Sequence, residues 1–116
     1  MTGAAALEYA KTLVKQFKQQ VTFTRPTDSP VSTQTLTCAV RYLSVDAVGK
    51  MKQQGALNQN APTPKLFLLA GDNDVLEGDE ATQGGYIWEI INVEKPDHQG
   101  VITFTRCVGT RSRKAS

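Results

Sequence analysis

Short runs of strand-forming residues, separated by turn residues, fill most of this 116-residue chain after its first 20 positions. The run at 21–25, VTFTR, alternates apolar and polar residues, and a longer run at 33–44 keeps its apolar residues on one face. Proline, glycine, aspartate and asparagine cluster between the runs, where they favour turns. Six or so short strands joined in this way predict a small antiparallel β-barrel or sandwich.

Two apolar runs supply the centre of the predicted sheet. KLFLLAG at 65–71 is too short for a buried helix, and YIWEIINVEK at 86–95 has aromatic and β-branched residues on both faces. A short strand is expected within 71–85, a turn at PDHQG, and a last strand in VITFTR at 101–106. We expect the core to contain Leu36, Val40, Phe67, Trp88 and Ile90.

The first 20 residues carry a different pattern. Leu7, Ala10, Val14 and Phe17 follow helical spacing, while charged residues fall on the other side, which predicts an amphipathic helix over 3–20 with Thr2 as its cap. Such a helix either packs on its own domain or docks on a neighbouring subunit, and the sequence leaves both open.

The segment 44–64 has five amides, two prolines and two glycines without an apolar period, so we predict a long flexible loop. Residues 108–116 are basic and polar, and we predict a flexible tail there. The predicted fold is thus mainly β: a small antiparallel β-barrel with an N-terminal α-helix, this loop and this tail. One domain is expected over 1–116: helix 3–20, first strands 21–43, loop 44–64, remaining strands 65–107 and tail 108–116.

Charge is unevenly distributed along the chain, although the net charge is only +2. Residues 1–71 have eight basic and three acidic residues. Residues 72–97 have one basic and eight acidic residues, and residues 98–116 have four basic residues and no acidic one. These blocks are either ordinary solvated surface or complementary faces of a subunit that binds copies of itself. No apolar run is long enough for a membrane span and no signal peptide is recognisable, so we expect a cytosolic protein with no membrane partner.

Residues that support catalysis or metal binding are sparse. His98 follows Asp97 in a predicted turn without a nucleophile motif nearby. The stretch DNDVLEGDE has Leu76 and Glu77 where a calcium loop of the EF-hand type needs an oxygen ligand and a glycine. Cys38 and Cys107 lack CxxC spacing and are expected to be free, half-buried thiols. We therefore predict no enzyme activity, no catalytic residue, no metal and no cofactor.

The second half of the chain resembles the head completion proteins of tailed phages, which comprise stopper proteins and head-to-tail joining proteins of the phage lambda type. The resemblance covers mainly residues 64–113. It rests on a Pro-x-Leu-Phe start of a strand, a Gly-Asp pair before a short strand, a Gly-x-x-Trp strand and a valine followed by a proline-acid turn, which here are Pro64, Leu66, Phe67, Gly78, Asp79, Gly85, Trp88, Val93, Pro96 and Asp97.

The resemblance implies a β-barrel that is monomeric when free and joins a ring of six or more copies under the portal or adaptor ring. There it closes the DNA-filled head and forms the surface to which tail proteins attach, in the virion neck after synthesis in the host cytoplasm. The long loop and the termini would become ordered on assembly, with a possible contact to packaged DNA. Loop or channel candidates are Lys50, Lys52, Gln53 and Gln54, and the tail adds Arg111, Arg113 and Lys114.

The charge blocks suggest which residues of two copies meet. A ring uses a head-to-tail interface between two different surfaces, and separated charges set its orientation. The candidate acidic surface is Asp72, Asp74, Glu77, Asp79 and Glu80, and its candidate partners are Lys11, Lys15 and Lys18 of the helix or Lys50 and Lys52 of the loop.

Two other functions remain open from the sequence. One is a different ring component of the phage neck or tail, such as an adaptor or a tail terminator. The other is a small nucleic-acid-binding β-barrel that uses the five basic residues Lys50, Lys52, Arg111, Arg113 and Lys114.

Overall fold

A computed structural model describes residues 2–17 and 19–115 and has a closed, antiparallel, six-stranded barrel. The barrel order is β1-β2-β3-β8-β5-β4, and β6 and β7 form a separate two-stranded sheet. The mainly-β barrel with an N-terminal helix is therefore confirmed. The elements are α1 (Gly3–Gln16), β1 (Gln19–Arg25), β2 (Ser32–Tyr42), α2 (Val45–Gln53), β3 (Lys65–Ala70), β4 (Glu80–Gln83), β5 (Tyr86–Glu94), β6 (Asp97–His98), β7 (Val101–Ile102) and β8 (Phe104–Lys114).

The barrel core forms from alternate residues of its strands. The predicted core is confirmed for Phe67, Trp88 and Ile90, which are buried together, whereas Leu36 and Val40 are only partly buried against them. The ring of Phe67 packs edge-on against a further core aromatic, that of Phe23, with 6.1 Å between centroids. Such pairs stabilise a core beyond the area that they bury.

The two cysteines are more deeply placed than the sequence predicted. Cys38 and Cys107 are free thiols, but each is completely buried instead of half-buried, because both point from their strands into the core. Burial raises the pKa of each thiol to about 12, since the apolar core disfavours the thiolate. Both cysteines therefore act as small core residues.

Helix α1 packs on its own domain, and the docking of its outer face on a neighbouring subunit stays a prediction. Thr2 caps it by accepting a hydrogen bond from the Ala5 N–H, and its buried residues Ala10 and Val14 belong to the face turned to the barrel. Gly3 allows close contact with β6 and β7, since a Cβ there would lie 2.7 Å from the His98 carbonyl oxygen. The prediction that this helix extends to residue 20 is wrong, because the helix ends at Gln16 and β1 begins at Gln19.

The connection between β2 and β3 contains a helix that the sequence analysis missed. The prediction of irregular structure over 44–64 is wrong for Val45–Gln53, which forms α2. Ser44 caps the helix by accepting a hydrogen bond from the Ala47 N–H at 3.2 Å, and Asp46 lies in the first turn, where the helix dipole favours an acid. No residue of α2 is buried. The predicted flexibility of this connection stays a prediction.

The C-terminal residues extend the barrel. The irregular structure predicted from residue 108 onward is wrong as far as Lys114, because β8 continues to that residue and pairs with β5, with Tyr86 opposite Lys114. Sheet pairing uses backbone groups and needs no apolar side chains, so a polar sequence forms a strand where a neighbouring strand is available. The Ala115 N–H continues this contact by donating to the Gly85 carbonyl oxygen at 3.0 Å.

The predicted turn at 96–100 is part of a small hairpin. Asp97 and His98 form β6, and the backbone reverses through Gln99 and Gly100, with φ of 51° and 81°, into β7. The last predicted strand is accordingly divided into β7 and β8. Among the described residues, no helix has both the length and the apolar character needed to cross a membrane.

Candidate functional site

The barrel has two ends that differ in charge. Strand β2 finishes where β3 begins, with Tyr42 opposite Lys65, and β8 finishes where β5 begins. We call this the basic end, because it carries Arg41, Lys65, Arg111 and Lys114, with α2 and its Lys50 and Lys52 in the connection between β2 and β3. We call the opposite end, covered by the connection between β3 and β4, the acidic end, and it carries Asp72, Asp74, Glu77 and Asp79.

A clasp of three charged residues closes the acidic end. Arg25, the last residue of β1, donates from Nε and Nη2 to the two carboxylate oxygens of Asp79 at 2.9 Å each, and it also contacts Asp74 at 3.2 Å. The Asp79 side chain is only 5% exposed and also accepts a hydrogen bond from the Leu76 N–H. Hydrogen bonds to Asp79 and Asp74 hold the pKa of Arg25 above its usual value, and Arg25 lowers the pKa of Asp74.

Most other residues of the predicted acidic surface also have partners within the chain. Asp72 pairs with Lys95 at 2.6 Å, and Glu80, on the barrel wall, pairs with Arg113 at 2.7 Å. The hydrogen bond from Arg113 lowers the pKa of Glu80. Glu77 is exposed and forms no ion pair with a described residue. The structure thus brings the five acidic candidates to one region, and the subunit interface predicted for them stays a prediction.

The basic candidates lie on separate elements. Lys11 pairs with Glu8 at 3.2 Å on the exposed face of α1, and Lys15 lies in the last turn of that helix. Lys18 lies outside the described residues. Lys50 and Lys52 lie in the last turn of α2, where the helix dipole favours cations; Gln53 is its last residue, and Gln54 caps it.

A cluster of cations and aromatic rings fills the mouth of the barrel at the basic end. Lys65 Nζ lies 4.8 Å from the ring centroid of Trp88 and 5.0 Å from that of Tyr42, and it donates to Gln83 Oε1 at 2.6 Å. The contact with the two ring faces favours the charged ammonium, whereas burial disfavours it and lowers the pKa of Lys65. The Trp88 Nε1–H donates to the Gln83 carbonyl oxygen at 3.0 Å, which fixes the ring beneath Lys65.

A second stacked pair lies beside this cluster. The guanidinium of Arg111 lies 5.0 Å from the ring centroid of Tyr86, and the Tyr86 and Trp88 rings meet edge-on at 6.5 Å. We call these six residues the mouth cluster: Tyr42, Lys65, Gln83, Tyr86, Trp88 and Arg111. Their cations contact no carboxylate among residues 2–17 and 19–115.

The sequence patterns did not indicate the contribution of Arg41, Tyr42 and Lys65 to this end. The alternation in the run at 33–44 places Tyr42 on the apolar face of its strand, but Tyr42 is 60% exposed because the strand ends there. A signal for Lys65 was present, since the strand begins directly after Pro64 and the period of two places Lys65 on the same face as Phe67. A lysine at the end of an inward-facing row marks the mouth of a barrel.

Metal binding has little support in the described part of the chain. No group of three or more His, Cys, Asp or Glu residues is arranged there to hold a metal ion. The outer wall instead carries an apolar groove of about 400 Å³ between α1 and strands β2 and β3, lined in part by Leu13, Phe17, Val40 and Leu68.

Protein-family models give no match to this chain, and curated proteins give none either.

Proposed function

We propose that this chain is a structural protein of the head–tail connector of a tailed phage. In this function it assembles into a ring of six or more copies under the portal or adaptor ring, completes and closes the DNA-filled head, and presents the surface to which the tail attaches. Its place is the virion neck, after synthesis in the host cytoplasm.

The observation that carries this proposal is the helix between β2 and β3, which has no buried residue. None of the nine residues of α2 is buried, and Val45 is 87% exposed. Isolated helices of this length are marginal in water, and most helical stability in proteins comes from packing. An element of this kind suits a subunit whose connecting segment packs on a partner during assembly.

The resemblance to head completion proteins adds support at the level of the fold. Its motif residues occupy positions that hold the barrel together: Phe67 and Trp88 lie in the core, and Asp79 forms the clasp with Arg25. The Pro96 carbonyl oxygen accepts hydrogen bonds from the N–H and the hydroxyl of Thr103. These residues support a shared architecture, and α2 supports the assembly role.

The opposite charges of the two barrel ends give further support. A ring or a stack of rings needs two different surfaces on each copy, and a charge difference between them sets orientation and disfavours reversed docking. The exposed acids of the acidic end, including Glu77, and the cations of α2 are suitable for this purpose.

Reconstitution with phage particles tests the proposal. We expect the purified chain to bind portal and adaptor complexes of the source phage, to appear as a ring under them in negative-stain micrographs, and to restore tail joining to heads that lack it. The variant Val45→Asp should fold normally and fail in joining, whereas the matched variant Val31→Asp, at another exposed valine, should join normally.

Three results would contradict this proposal. They are no binding to portal or adaptor complexes, equal loss of joining in both valine variants, or binding to tail tubes alone. The last result would assign the chain to the tail terminators instead.

The predicted charge-matched interface has its own test. Asp72→Lys with Asp74→Lys should leave the barrel folded, because Asp79 still holds Arg25, and should abolish joining of heads to tails. Glutamate at positions 50 and 52, or at 11 and 15, should partly restore joining. Normal joining by the double reversal would rule out this interface.

A further inference from the structure

The cationic side chains of the described residues form two groups according to their partners. Five of them form ion pairs with carboxylates within the chain: Lys11, Arg25, Lys95, Arg106 and Arg113. Of the others, Lys15 lies on α1 and the remaining six all belong to the basic end: Arg41, Lys50, Lys52, Lys65, Arg111 and Lys114. Unpaired positive charge is therefore concentrated at one end of the barrel.

Strand pairing explains why residues distant in sequence meet there. Lys65 is opposite Tyr42 on one side and Gly109 on the other, and β8 then continues through Arg111 to Lys114. The connection that leaves after β2 and returns at β3 carries Lys50 and Lys52. In the whole stretch 41–65 and in residues 109–115 there is a single acidic residue, Asp46.

Exposed aromatic surface accompanies these charges. Tyr42 is 60% exposed and packs edge-on against Trp88, with 6.5 Å between ring centroids. The contact with the buried Trp88 ring therefore fixes the position of the Tyr42 ring. Arg111 is held on the ring of Tyr86 and remains exposed. Stacked guanidinium groups and half-exposed tyrosines beside lysines are the combination with which proteins contact phosphates and bases of nucleic acids.

We propose that the basic end is a binding surface for the phosphate backbone of nucleic acid. Nucleic acid is favoured over an acidic protein because the cations lie on four separate elements, beside the exposed ring of Tyr42 and the half-buried ring of Tyr86, and a strand of phosphates and bases can contact charges and rings together. Identifying this ligand as packaged DNA rests on the proposed connector function, whereas the binding surface itself does not.

Equilibrium binding measurements on the full chain test the surface. Fluorescence anisotropy with a labelled duplex and with a labelled single strand, over a series of salt concentrations, should give affinities that fall linearly on a log–log plot. Each phosphate neutralised contributes a slope of about 0.9 for duplex DNA. Lys50→Gln with Lys52→Gln should lower the slope for the duplex by roughly 2.

A matched double variant at the acidic end controls for net charge. Lys95→Gln with Arg106→Gln removes the same number of positive charges, but both side chains already pair with carboxylates, so the salt slope should not change. Circular dichroism and thermal unfolding confirm that both double variants fold. An equal decrease of the slope in the two double variants, or no binding of either nucleic acid at about 50 mM salt, would overturn the proposal.

A competition experiment separates nucleic acid from an acidic protein partner. Poly-glutamate with the same number of charges as the single strand should compete weakly, because it has no bases to stack on Tyr42. Tighter binding of poly-glutamate than of either nucleic acid would overturn the assignment of the ligand. Tyr42→Leu should weaken single-strand binding about tenfold and leave duplex binding unchanged, and an unchanged single-strand affinity would remove the stacking contact from the proposal.

The outcomes are independent of the connector test. Nucleic-acid binding without binding to portal or adaptor complexes would support the surface and contradict the connector function. Binding to those complexes without nucleic-acid binding would support the connector function and contradict the binding surface.

Discussion

At the acidic end of the barrel, the carboxylates of Asp74 and Asp79 both contact Arg25, whereas at the basic end Lys65 and Arg111 lie against aromatic rings. The first arrangement uses opposite charges to hold a loop across the barrel opening. The second leaves its positive charge without a carboxylate partner within the described residues. One end therefore uses its charges mainly for the fold, and the other has charges that remain available to a partner.

The largest expected effect comes from removing the ring on which the mouth cluster rests. Trp88→Ala should lower the free energy of unfolding by about 3 to 5 kcal/mol, because it leaves a cavity beneath Lys65 and an unused acceptor on Gln83. Urea denaturation measures this loss, and Trp88→Phe, which keeps a ring, should lose less. A loss below about 1 kcal/mol would show that the ring contributes little to the core.

A smaller effect is expected at the acidic end, where the carboxylates of Asp79 and Asp72 have the same chemistry but differ in solvent exposure. Asp79→Ala should lower the free energy of unfolding by about 3 kcal/mol, because it leaves Arg25 partly buried without its main partner. Asp72→Ala breaks the ion pair with Lys95. Because the Asp72 side chain is 59% exposed and that of Lys95 is 32% exposed, the free energy of unfolding should change by only about 0 to 1 kcal/mol. Equal losses in the two variants would contradict the structural role of Asp79.

Lowering the pH should weaken the ion pairs of Asp74 and Glu80 before it affects the basic end. Arg25 and Arg113 lower the pKa values of Asp74 and Glu80 in the folded state, so the unfolded chain binds more protons as pH falls. This stabilisation is complete above the ordinary carboxyl pKa of about 4 and is lost as pH falls through the lowered folded values. In thermal unfolding between about pH 5 and pH 2, Glu80→Gln should lose less stability than the unmodified chain. Parallel curves for the two proteins would show that the Glu80–Arg113 pair contributes no pH dependence.

How far these ends could be predicted depends on the range of the contacts involved. Short apolar runs bounded by turn residues identified Phe67, Trp88 and Ile90 as core residues, because that signal is local. The bond between Arg25 and Asp79 joins two distant segments, so a charge pattern placed Asp79 on a surface although it is buried. A local pattern cannot tell which member of an acidic run turns inward.

The two missed elements have different explanations. Local signals for α2 were present in the cap Ser44, the acid Asp46 in the first turn and the lysines in the last turn, but Gly49 and the lack of an apolar period concealed them. No such signal marked the end of β8. Its polar residues are held by backbone pairing with β5 and by the contacts of Arg111 and Arg113 with Tyr86 and Glu80, which become visible only in the folded chain.

The smallest effect on stability is expected from neutralising cations of the basic end that form no ion pair with a described residue. Arg41→Gln, combined with Lys50→Gln and Lys52→Gln, removes three positive charges that contact no carboxylate of the described chain, so no buried charge is left without a partner. Removing repulsion between like charges offsets the small losses in packing, and the midpoint of urea denaturation should move by less than the equivalent of about 0.5 kcal/mol. Arg25→Gln, which removes a single charge from the clasp, provides the contrast and should lower the free energy of unfolding several times more.

A loss above about 1 kcal/mol in the triple variant would mean that these cations stabilise the fold, and the two ends would then not differ in the way described. An unchanged midpoint together with a lower salt slope in nucleic-acid binding would separate the charges that hold the barrel from those that serve its partner.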